Sequence, residues 1–82
     1  MTSTITFKGV VYDDRHGGPF DRGMMDSYYR RQPRPHYYTG NTGLSERIEA
    51  DRMTEDEKRA YWAGMEYNDE EGDFKDWGYD DE

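Results

Sequence analysis

The densest group of chemically active side chains lies at the carboxyl end of the chain. Nine acidic residues and one lysine follow Met65, and four rings are spaced among them: Tyr67, Phe74, Trp77 and Tyr79. Carboxylates can bind metal ions, take part in acid–base catalysis or face a basic partner. Tyrosine and tryptophan, in turn, are typical of protein interfaces. These residue types are therefore compatible with three functions: metal binding, catalysis and protein recognition.

Metal binding is disfavoured by the spacing of these acids. An EF-hand loop needs acidic residues at positions one, three and five and a glycine at position six. Neither Gly72 nor Gly78 has acids at all three positions before it. The histidines, His16 and His36, have no carboxylates at a spacing typical of zinc sites, and the chain has no cysteine. We expect no metal and no cofactor, with loose divalent-cation binding by the acidic end as the alternative.

Catalysis finds little support in the remaining residues. Ser27 and Ser45 lie in no recognisable nucleophile turn, and the chain contains no glycine-rich phosphate loop. Adjacent carboxylates are frequent, but a chain with 19 acidic residues contains such neighbours without any catalytic purpose. We therefore expect a protein that is not an enzyme.

Protein recognition is the chemistry that the acidic and aromatic residues favour. Large rings supply contact area at low entropic cost, and interleaved carboxylates suit a basic partner. Within this segment we expect Trp77 and Tyr79 to contact the partner and Phe74 to pack on the protein itself. The predicted partner-binding residues are Tyr67, Asp69, Glu70, Glu71, Asp73, Asp76, Trp77 and Tyr79.

Charge is divided unequally along the chain. Residues 1–45 hold six bases and four acids, a net charge of +2, whereas residues 46–82 hold five bases and fifteen acids, a net charge of −10. The acidic half repels phosphates at long range, so nucleic acid is an unlikely partner. The alternative is a single-stranded nucleic-acid binder that uses residues 22–38, where arginines alternate with tyrosines.

Length and composition predict one small domain spanning residues 1–82, with residues 73–82 as an acidic aromatic tail that could be flexible. Valine, isoleucine and leucine number only five, whereas thirteen residues are aromatic. Rings must therefore supply most of the core, and a chain that folds only on binding is the alternative. The chain shows neither a signal peptide nor an apolar run long enough to cross a membrane, so we expect a soluble intracellular protein.

The elements that position these residues form an α+β fold in our prediction. Alternation predicts a strand over 4–12 with Ile5, Phe7 and Val11 on one face, and a second strand over 46–52 that pairs with it. One main helix, from about 54 to 70, packs across this two-stranded sheet, and loops are extensive. The predicted core is Phe7, Val11, Tyr28, Ile48, Tyr61 and Met65.

The main helix has the clearest local signals. Thr54 and Glu57 are spaced as a capping box, and Gly72 is a plausible left-handed stop. Lys58, Tyr61, Trp62 and Met65 lie on one broad stripe of this predicted helix. Gly64 costs about 1 kcal/mol relative to alanine unless another backbone packs closely there. A shorter helix is predicted within residues 20–32, with Asp21 as its cap and the next proline as its end.

Two stretches carry a resemblance to known proteins. "FDRGMMDSYYRRQPRPHYY" and "RIEADRMTEDEKRAYWAGMEYNDEEGDFKDWG" resemble a group of small uncharacterised acidic proteins encoded by tailed bacteriophages, over roughly residues 19–78. The most specific part is the closing "GDFKDWG", which begins at Gly72. The resemblance implies a phage protein made in the host bacterial cytoplasm, and it transfers no activity and no catalytic residue.

These observations lead to one functional expectation and two alternatives. We expect a phage effector that binds a host protein with a basic surface and inhibits or redirects it, with its acidic half acting as a nucleic-acid mimic. Anti-restriction, anti-CRISPR and polymerase-inhibiting roles belong to this class. The first alternative is a virion structural or assembly accessory protein, and the second is the nucleic-acid binder described above. The sequence does not indicate the oligomeric state.

Overall fold

A computed structural model describes residues 4–40, 45–72 and 74 of the chain. The described residues form two helices and two antiparallel two-stranded sheets, one of β1 (Thr4–Phe7) with β2 (Val10–Asp13) and one of β3 (His36–Tyr38) with β4 (Arg47–Glu49). The predicted α+β class is confirmed. The prediction of one sheet and one main helix was incomplete, because the described residues form two of each. The elements are β1 (Thr4–Phe7), β2 (Val10–Asp13), α1 (Pro19–Tyr28), β3 (His36–Tyr38), β4 (Arg47–Glu49), a 3₁₀ turn (Ala50–Arg52) and α2 (Glu55–Glu71).

The first strand prediction was wrong because the chain reverses in its middle. Lys8 and Gly9 have φ angles of 52° and 81°, and they form a two-residue turn between β1 and β2. Positive φ at both positions is characteristic of the turns that match the twist of a tight hairpin. Glycine adopts a positive φ freely, whereas lysine rarely does. Of the two turn residues, only Gly9 is therefore of a type that indicates a turn.

This reversal moves Val11 to the opposite face of the hairpin. Phe7 lies opposite Val10 and Ile5 lies opposite Tyr12, and directly opposed residues share a face. Val11 therefore points away from Ile5 and Phe7, and it is 63% exposed. The prediction that Val11 belongs to the core was wrong for this reason.

The second predicted strand forms, but with a different partner. Its residues 47–49 pair with β3 in a register that sets Tyr37 opposite Ile48, and residues 50–52 turn into the 3₁₀ segment. The predicted pairing between residues 46–52 and the N-terminal strand was therefore wrong. Both sheets are hairpins between neighbouring segments, which lose less loop entropy than the long-range pairing that we predicted.

Helix α1 begins and ends earlier than its sequence suggested. Pro19 occupies the first turn, where proline is well tolerated, and the Asp21 carboxylate accepts a hydrogen bond from the Gly17 backbone amide at 3.0 Å. The helix stops near Arg30, whose φ is 57°, and not at the proline that follows. Asp21 lies within the first turn of the helix and is not its cap.

Helix α2 confirms its predicted boundaries. The Glu57 amide donates to the Thr54 hydroxyl at 3.1 Å, and the Thr54 amide donates to the Glu57 carboxylate at 2.8 Å, which completes the capping box. Three acidic residues in the first turn interact favourably with the helix dipole. Gly72 ends the helix in the left-handed conformation, with φ of 73°.

The two helices cross with their backbones in direct contact. A Cβ atom added to Gly23 would lie 1.9 Å from the Tyr61 carbonyl oxygen, and one added to Gly64 would lie 2.1 Å from the Phe20 carbonyl oxygen. Gly64 was expected to cost stability unless another backbone packed closely against it, and the backbone of α1 does so. This crossing brings the polar side chains of α1 within reach of α2.

The interior is small and half polar. Of the predicted core, Ile48 and Tyr61 are buried, whereas Phe7, Tyr28 and Met65 are half-buried. The buried hydrophobic residues are Phe20, Ile48, Met53, Tyr61 and Ala63, and the buried polar residues are Arg22, Asp26, Ser27, His36 and Asn68. Buried polar groups are stable only when they find hydrogen-bond partners. Much of the interior must therefore be a hydrogen-bond network.

Candidate functional site

The predicted partner-binding residues fall into two sets. Tyr67, Asp69, Glu70 and Glu71 lie on the last turns of α2. Asp73, Asp76, Trp77 and Tyr79 lie outside the described residues, and so does the rest of the predicted tail except Phe74. Phe74 is half-buried, and the Arg30 guanidinium carbon lies 4.8 Å from the centroid of its ring.

The four described residues differ in their surroundings. The Tyr67 ring is half-buried, with its centroid 5.5 Å from that of Phe7 and 5.8 Å from that of Phe20, so it contributes to the fold. Asp69 accepts a hydrogen bond from the Ser27 hydroxyl, and Glu71 is exposed. The carboxylates of this segment therefore reach the surface, while Tyr67 is turned inward.

Lys8 links the first hairpin to the exposed side of α2. Its ammonium group pairs with Glu66 and lies 2.9 Å from the Glu70 carboxylate. The hydrogen bond to Glu66, followed by the one to Glu70, raises the pKa of Lys8 above its ordinary value. All three side chains are about half exposed, so water and salt screen this cluster.

An exposed tryptophan lies on the same side of α2. Trp62 is 47% exposed, and Glu66 and Asp69 follow it by four and seven residues, a spacing that places them on one side of a helix. We call Trp62, Glu66, Asp69 and Glu70 the outer face. On the broad stripe predicted for this helix, Tyr61 is buried whereas Trp62 is exposed, and the spacing of Trp62, Glu66 and Asp69 by four and seven residues was available as a signal of this difference.

A second polar site lies between α1 and the second hairpin. It surrounds a cavity of about 250 Å³. Most of its lining comes from residues 22–38, the segment that the alternative nucleic-acid binder would use. Helix α1 supplies Arg22 and Asp26, and β3 and β4 supply His36 and Arg47. We call this site the arginine pocket; it is lined by Arg22, Asp26, Arg31, Gln32, Arg34, His36 and Arg47.

Hydrogen bonds fix the state of His36 at this pocket. The Arg22 Nε–H group donates to His36 Nε2 at 3.1 Å, and His36 Nδ1 lies 2.7 Å from the Arg34 carbonyl oxygen. Because a guanidinium only donates, Nε2 must accept and Nδ1 must carry the proton. Burial is the main cause that lowers the pKa of His36, and the nearby charges of Arg47 and Arg22 act in the same direction. The imidazole is therefore neutral near pH 7.

Tyr61 connects this network to the core. Its side chain is fully buried, its hydroxyl donates to the Asp26 carboxylate, and the same oxygen accepts from the Arg34 amide at 2.9 Å. Burial, followed by the hydrogen bond to Asp26, raises the pKa of Tyr61. The hydroxyl thus ties α2 to α1 and to the segment that precedes β3.

The arginines of the pocket are compensated unequally. Arg47 lies 2.6 Å from the Glu49 carboxylate, and Arg31 lies 3.8 Å from that of Asp26. Arg22 is only 8% exposed, and within residues 4–40, 45–72 and 74 it forms no ion pair. Its guanidinium carbon lies 5.5 Å from the ring centroid of Tyr38, a cation–π distance.

The free energy of unfolding is expected to fall as the pH drops below about 6.5, the ordinary pKa of histidine. The folded state takes up the His36 proton only at lower pH, so the unfolded state binds more protons in this interval and stability declines. An NMR titration of His36 should give a midpoint below 6.5, and His36→Gln should flatten the dependence of Tm on pH there. A midpoint above 6.5 contradicts the neutral assignment.

The described residues show two further features that bear on function. Within the described part of the chain, no group of three histidine, cysteine or acidic side chains is arranged to hold a metal ion. Neither of the helices in residues 4–40 and 45–72 has the length and apolar character needed to span a membrane.

Comparison with known proteins identifies no relative of this chain. No protein-family model matches the sequence, and no curated protein and no solved structure shows a significant match to it. The fold and the two surfaces define a small α+β domain with an acidic helix and a separate basic pocket. Its function must be argued from its own side chains.

Proposed function

We propose that this protein is a non-enzymatic phage effector that binds a basic surface of a host protein in the bacterial cytoplasm. The outer face of α2, with the acidic residues that follow it, is the binding surface. The observation that carries the proposal is the exposed residue Trp62, whose four- and seven-residue spacing from Glu66 and Asp69 puts all three on one side of α2. The phage origin rests on the sequence resemblance alone.

Trp62 is costly to leave exposed in a chain with so few apolar residues. Burying an aromatic ring removes roughly 150–250 Å² from water, and the fold leaves about half of this side chain outside. Tryptophan is among the residues most enriched where binding energy concentrates. A partner that covers the indole would gain apolar burial that the fold itself does not use.

The charge around Trp62 selects the kind of partner. Residues 46–82 carry a net charge of −10, and the outer face contributes three carboxylates, which Lys8 compensates in part. A basic cleft that normally binds nucleic acid has the complementary potential. We therefore propose a nucleic-acid-binding host protein as the target, occupied by a mimic of duplex charge. Anti-restriction, anti-CRISPR and polymerase inhibition are roles of this kind.

Trp62→Ala is expected to weaken partner binding by about 2 kcal/mol, or roughly 30-fold in Kd, as for a residue at the centre of an interface. The melting temperature should fall only modestly, because the residue is 47% exposed and its ring contacts one aromatic ring among the described residues, that of Tyr61, at 5.4 Å between centroids. Val11→Ala is the matched control, since Val11 is also exposed but lies on the first hairpin. Affinity capture from host lysate, followed by binding measurements at two salt concentrations, tests both variants.

The same experiment separates the proposal from its alternatives. A captured host nuclease or polymerase that is released by salt and lost with Trp62→Ala supports it. Capture of phage structural proteins alone favours a virion accessory protein. Salt-sensitive gel shifts of single strands favour the nucleic-acid binder. Equal losses for Trp62→Ala and Val11→Ala contradict the role of the outer face.

A further inference from the structure

The arginine pocket is a basic site on an acidic protein, and the proposed function does not use it. We propose that this pocket binds the phosphate group of a small ligand, either free phosphate or a small phosphate ester, through Arg22, Arg31 and Arg34. None of these residues belongs to the outer face, so the inference is independent of host-protein binding.

The local charge is the first argument. Among residues 4–40, 45–72 and 74, four guanidinium groups and the carboxylate of Asp26 line the cavity, and His36 is neutral, so these lining residues carry a net charge of +3. Glu49 compensates Arg47 from outside the lining, which leaves about two positive charges uncompensated. The whole protein has a net charge of −8, so its other charges do not explain why arginines gather here. Two positive charges match a phosphate dianion.

The burial of Arg22 is the second argument. A cation that is largely removed from water gains from an anion placed at the part of it that solvent still reaches. Arg22 is more than nine-tenths buried, and its one hydrogen bond to a described residue goes to the neutral His36. Arg22 lines the cavity, and its terminal nitrogens make no hydrogen bond to residues 4–40, 45–72 and 74, so solvent in the cavity reaches them. An anion in the cavity would replace water as the acceptor for these nitrogens.

The position of Arg22 is held in advance. His36 accepts from its Nε, and the Tyr38 ring lies 5.5 Å from its guanidinium carbon, so the side chain is supported at two points. His36 is held in turn by the Arg34 carbonyl oxygen. A planar guanidinium with free terminal nitrogens can bind two phosphate oxygens at once, and a fixed side chain loses little entropy when it does so.

The size and opening of the pocket set the ligand class. A cavity of about 250 Å³ has room for several water molecules, and therefore for a phosphate group. The Arg31 side chain is 55% exposed, and Arg34 is also exposed, so the ligand can enter from solvent.

A nucleic-acid strand is disfavoured as the ligand. Single-strand binding requires open aromatic rings on which successive bases stack. Here Arg22 and Arg47 both lie against the Tyr38 ring, and Arg31 lies 4.9 Å from the centroid of Tyr29. Guanidinium groups therefore already contact the rings nearest to the pocket. In addition, the acidic α2 repels a long polyanion.

Titration of the full chain with sodium phosphate tests the proposal, with sodium chloride at equal ionic strength as reference. Calorimetry should show saturable binding of phosphate at millimolar concentrations or below, and the Arg22 Nε–H resonance should shift in step. Adenosine monophosphate distinguishes the sources of the ligand. Tighter binding than free phosphate points to a nucleotide-like ester, and equal binding points to the phosphate group alone.

Arg34→Gln is the main variant, because the Arg34 guanidinium makes no hydrogen bond or ion pair to a described residue and its loss should spare the fold. Phosphate affinity should fall about tenfold, as expected for one charged hydrogen bond. Arg22→Gln should lose binding altogether. Arg59→Gln is the matched control, since Arg59 is exposed on α2 and pairs with Asp56.

Three outcomes would overturn the inference. The first is an absence of saturable phosphate binding by the folded wild-type protein. The second is a loss of affinity in Arg59→Gln equal to that in Arg34→Gln, which would mean general charge screening. The third is binding of single-stranded oligonucleotides without binding of phosphate or adenosine monophosphate, which would assign the arginines to nucleic acid instead.

Discussion

Gly64→Ala is expected to destabilise the protein by about 3 kcal/mol, even though alanine is the better helix former by about 1 kcal/mol. The added methyl group would lie 2.1 Å from the Phe20 carbonyl oxygen, which belongs to the backbone of α1 and cannot rotate away. The helices must separate, and the contacts between Tyr61 and α1 loosen with them. Gly23→Ala, which meets the Tyr61 carbonyl oxygen at 1.9 Å, should act in the same way.

Thermal unfolding followed by circular dichroism measures this effect. A loss of 3 kcal/mol in a domain of this size corresponds to a drop in Tm of roughly 10–25 °C. Gly72→Ala is the matched control, because a Cβ there meets nothing within 4 Å and only the positive φ opposes it. That variant should lose about 1 kcal/mol. A Gly64→Ala protein as stable as wild type would show that the helices do not cross at these glycines.

The parts of the fold that were predictable depend on local chemistry. The capping box of Thr54 and Glu57 and the left-handed Gly72 act within a few residues, so the sequence displays them directly. Gly64 was flagged as costly unless a backbone packed against it, and the crossing with α1 is that backbone. The sequence could not name Gly23 as its counterpart, because no local pattern joins two residues so far apart.

The first hairpin shows where local reasoning failed. Residues 4–12 alternate as one strand, and the reversal depends on Lys8 accepting a positive φ that its residue type disfavours. The Lys8 side chain gains Glu66 and Glu70 on α2 at that place. Such long-range partners are absent from any pattern in residues 4–12, so the turn and the exposure of Val11 were both missed.

The arginine pocket was hidden for a similar reason. Arginine and aspartate are normally surface residues, so Arg22 and Asp26 were not candidates for the interior. They are buried because the crossing of the helices brings Asp26 to the Tyr61 hydroxyl and β3 brings His36 to Arg22. The sequence showed arginines among tyrosines over residues 22–38 but not which rings the arginines would cover.

Tyr61→Phe is expected to destabilise the protein by about 2–3 kcal/mol, although only one oxygen atom is removed. The buried Asp26 carboxylate loses its donor, and the Arg34 amide loses its acceptor. Each buried group left without a partner costs roughly 1–3 kcal/mol, and a charged group costs more. Urea unfolding of the variant should give a lower midpoint with an unchanged slope, since the surface exposed on unfolding stays the same.

Tyr67→Phe provides the matched control for this substitution. Tyr67 also lies on α2 and packs against Phe7 and Phe20, but its hydroxyl makes no hydrogen bond to a residue in the described part of the chain. Its loss should change stability by less than about 0.5 kcal/mol. If Tyr61→Phe costs as little stability as Tyr67→Phe, then ring packing, and not the hydroxyl network, stabilises the crossing of the helices.

Tyr61→Phe also tests whether the core network positions the arginine pocket. The Tyr61 hydroxyl holds the Arg34 amide, and the Arg34 carbonyl oxygen holds His36, which in turn holds Arg22. If this chain orients Arg22, folded Tyr61→Phe should bind phosphate several-fold more weakly while every arginine remains present. Unchanged affinity in the folded variant would show that Tyr38 and His36 fix Arg22 without help from the core.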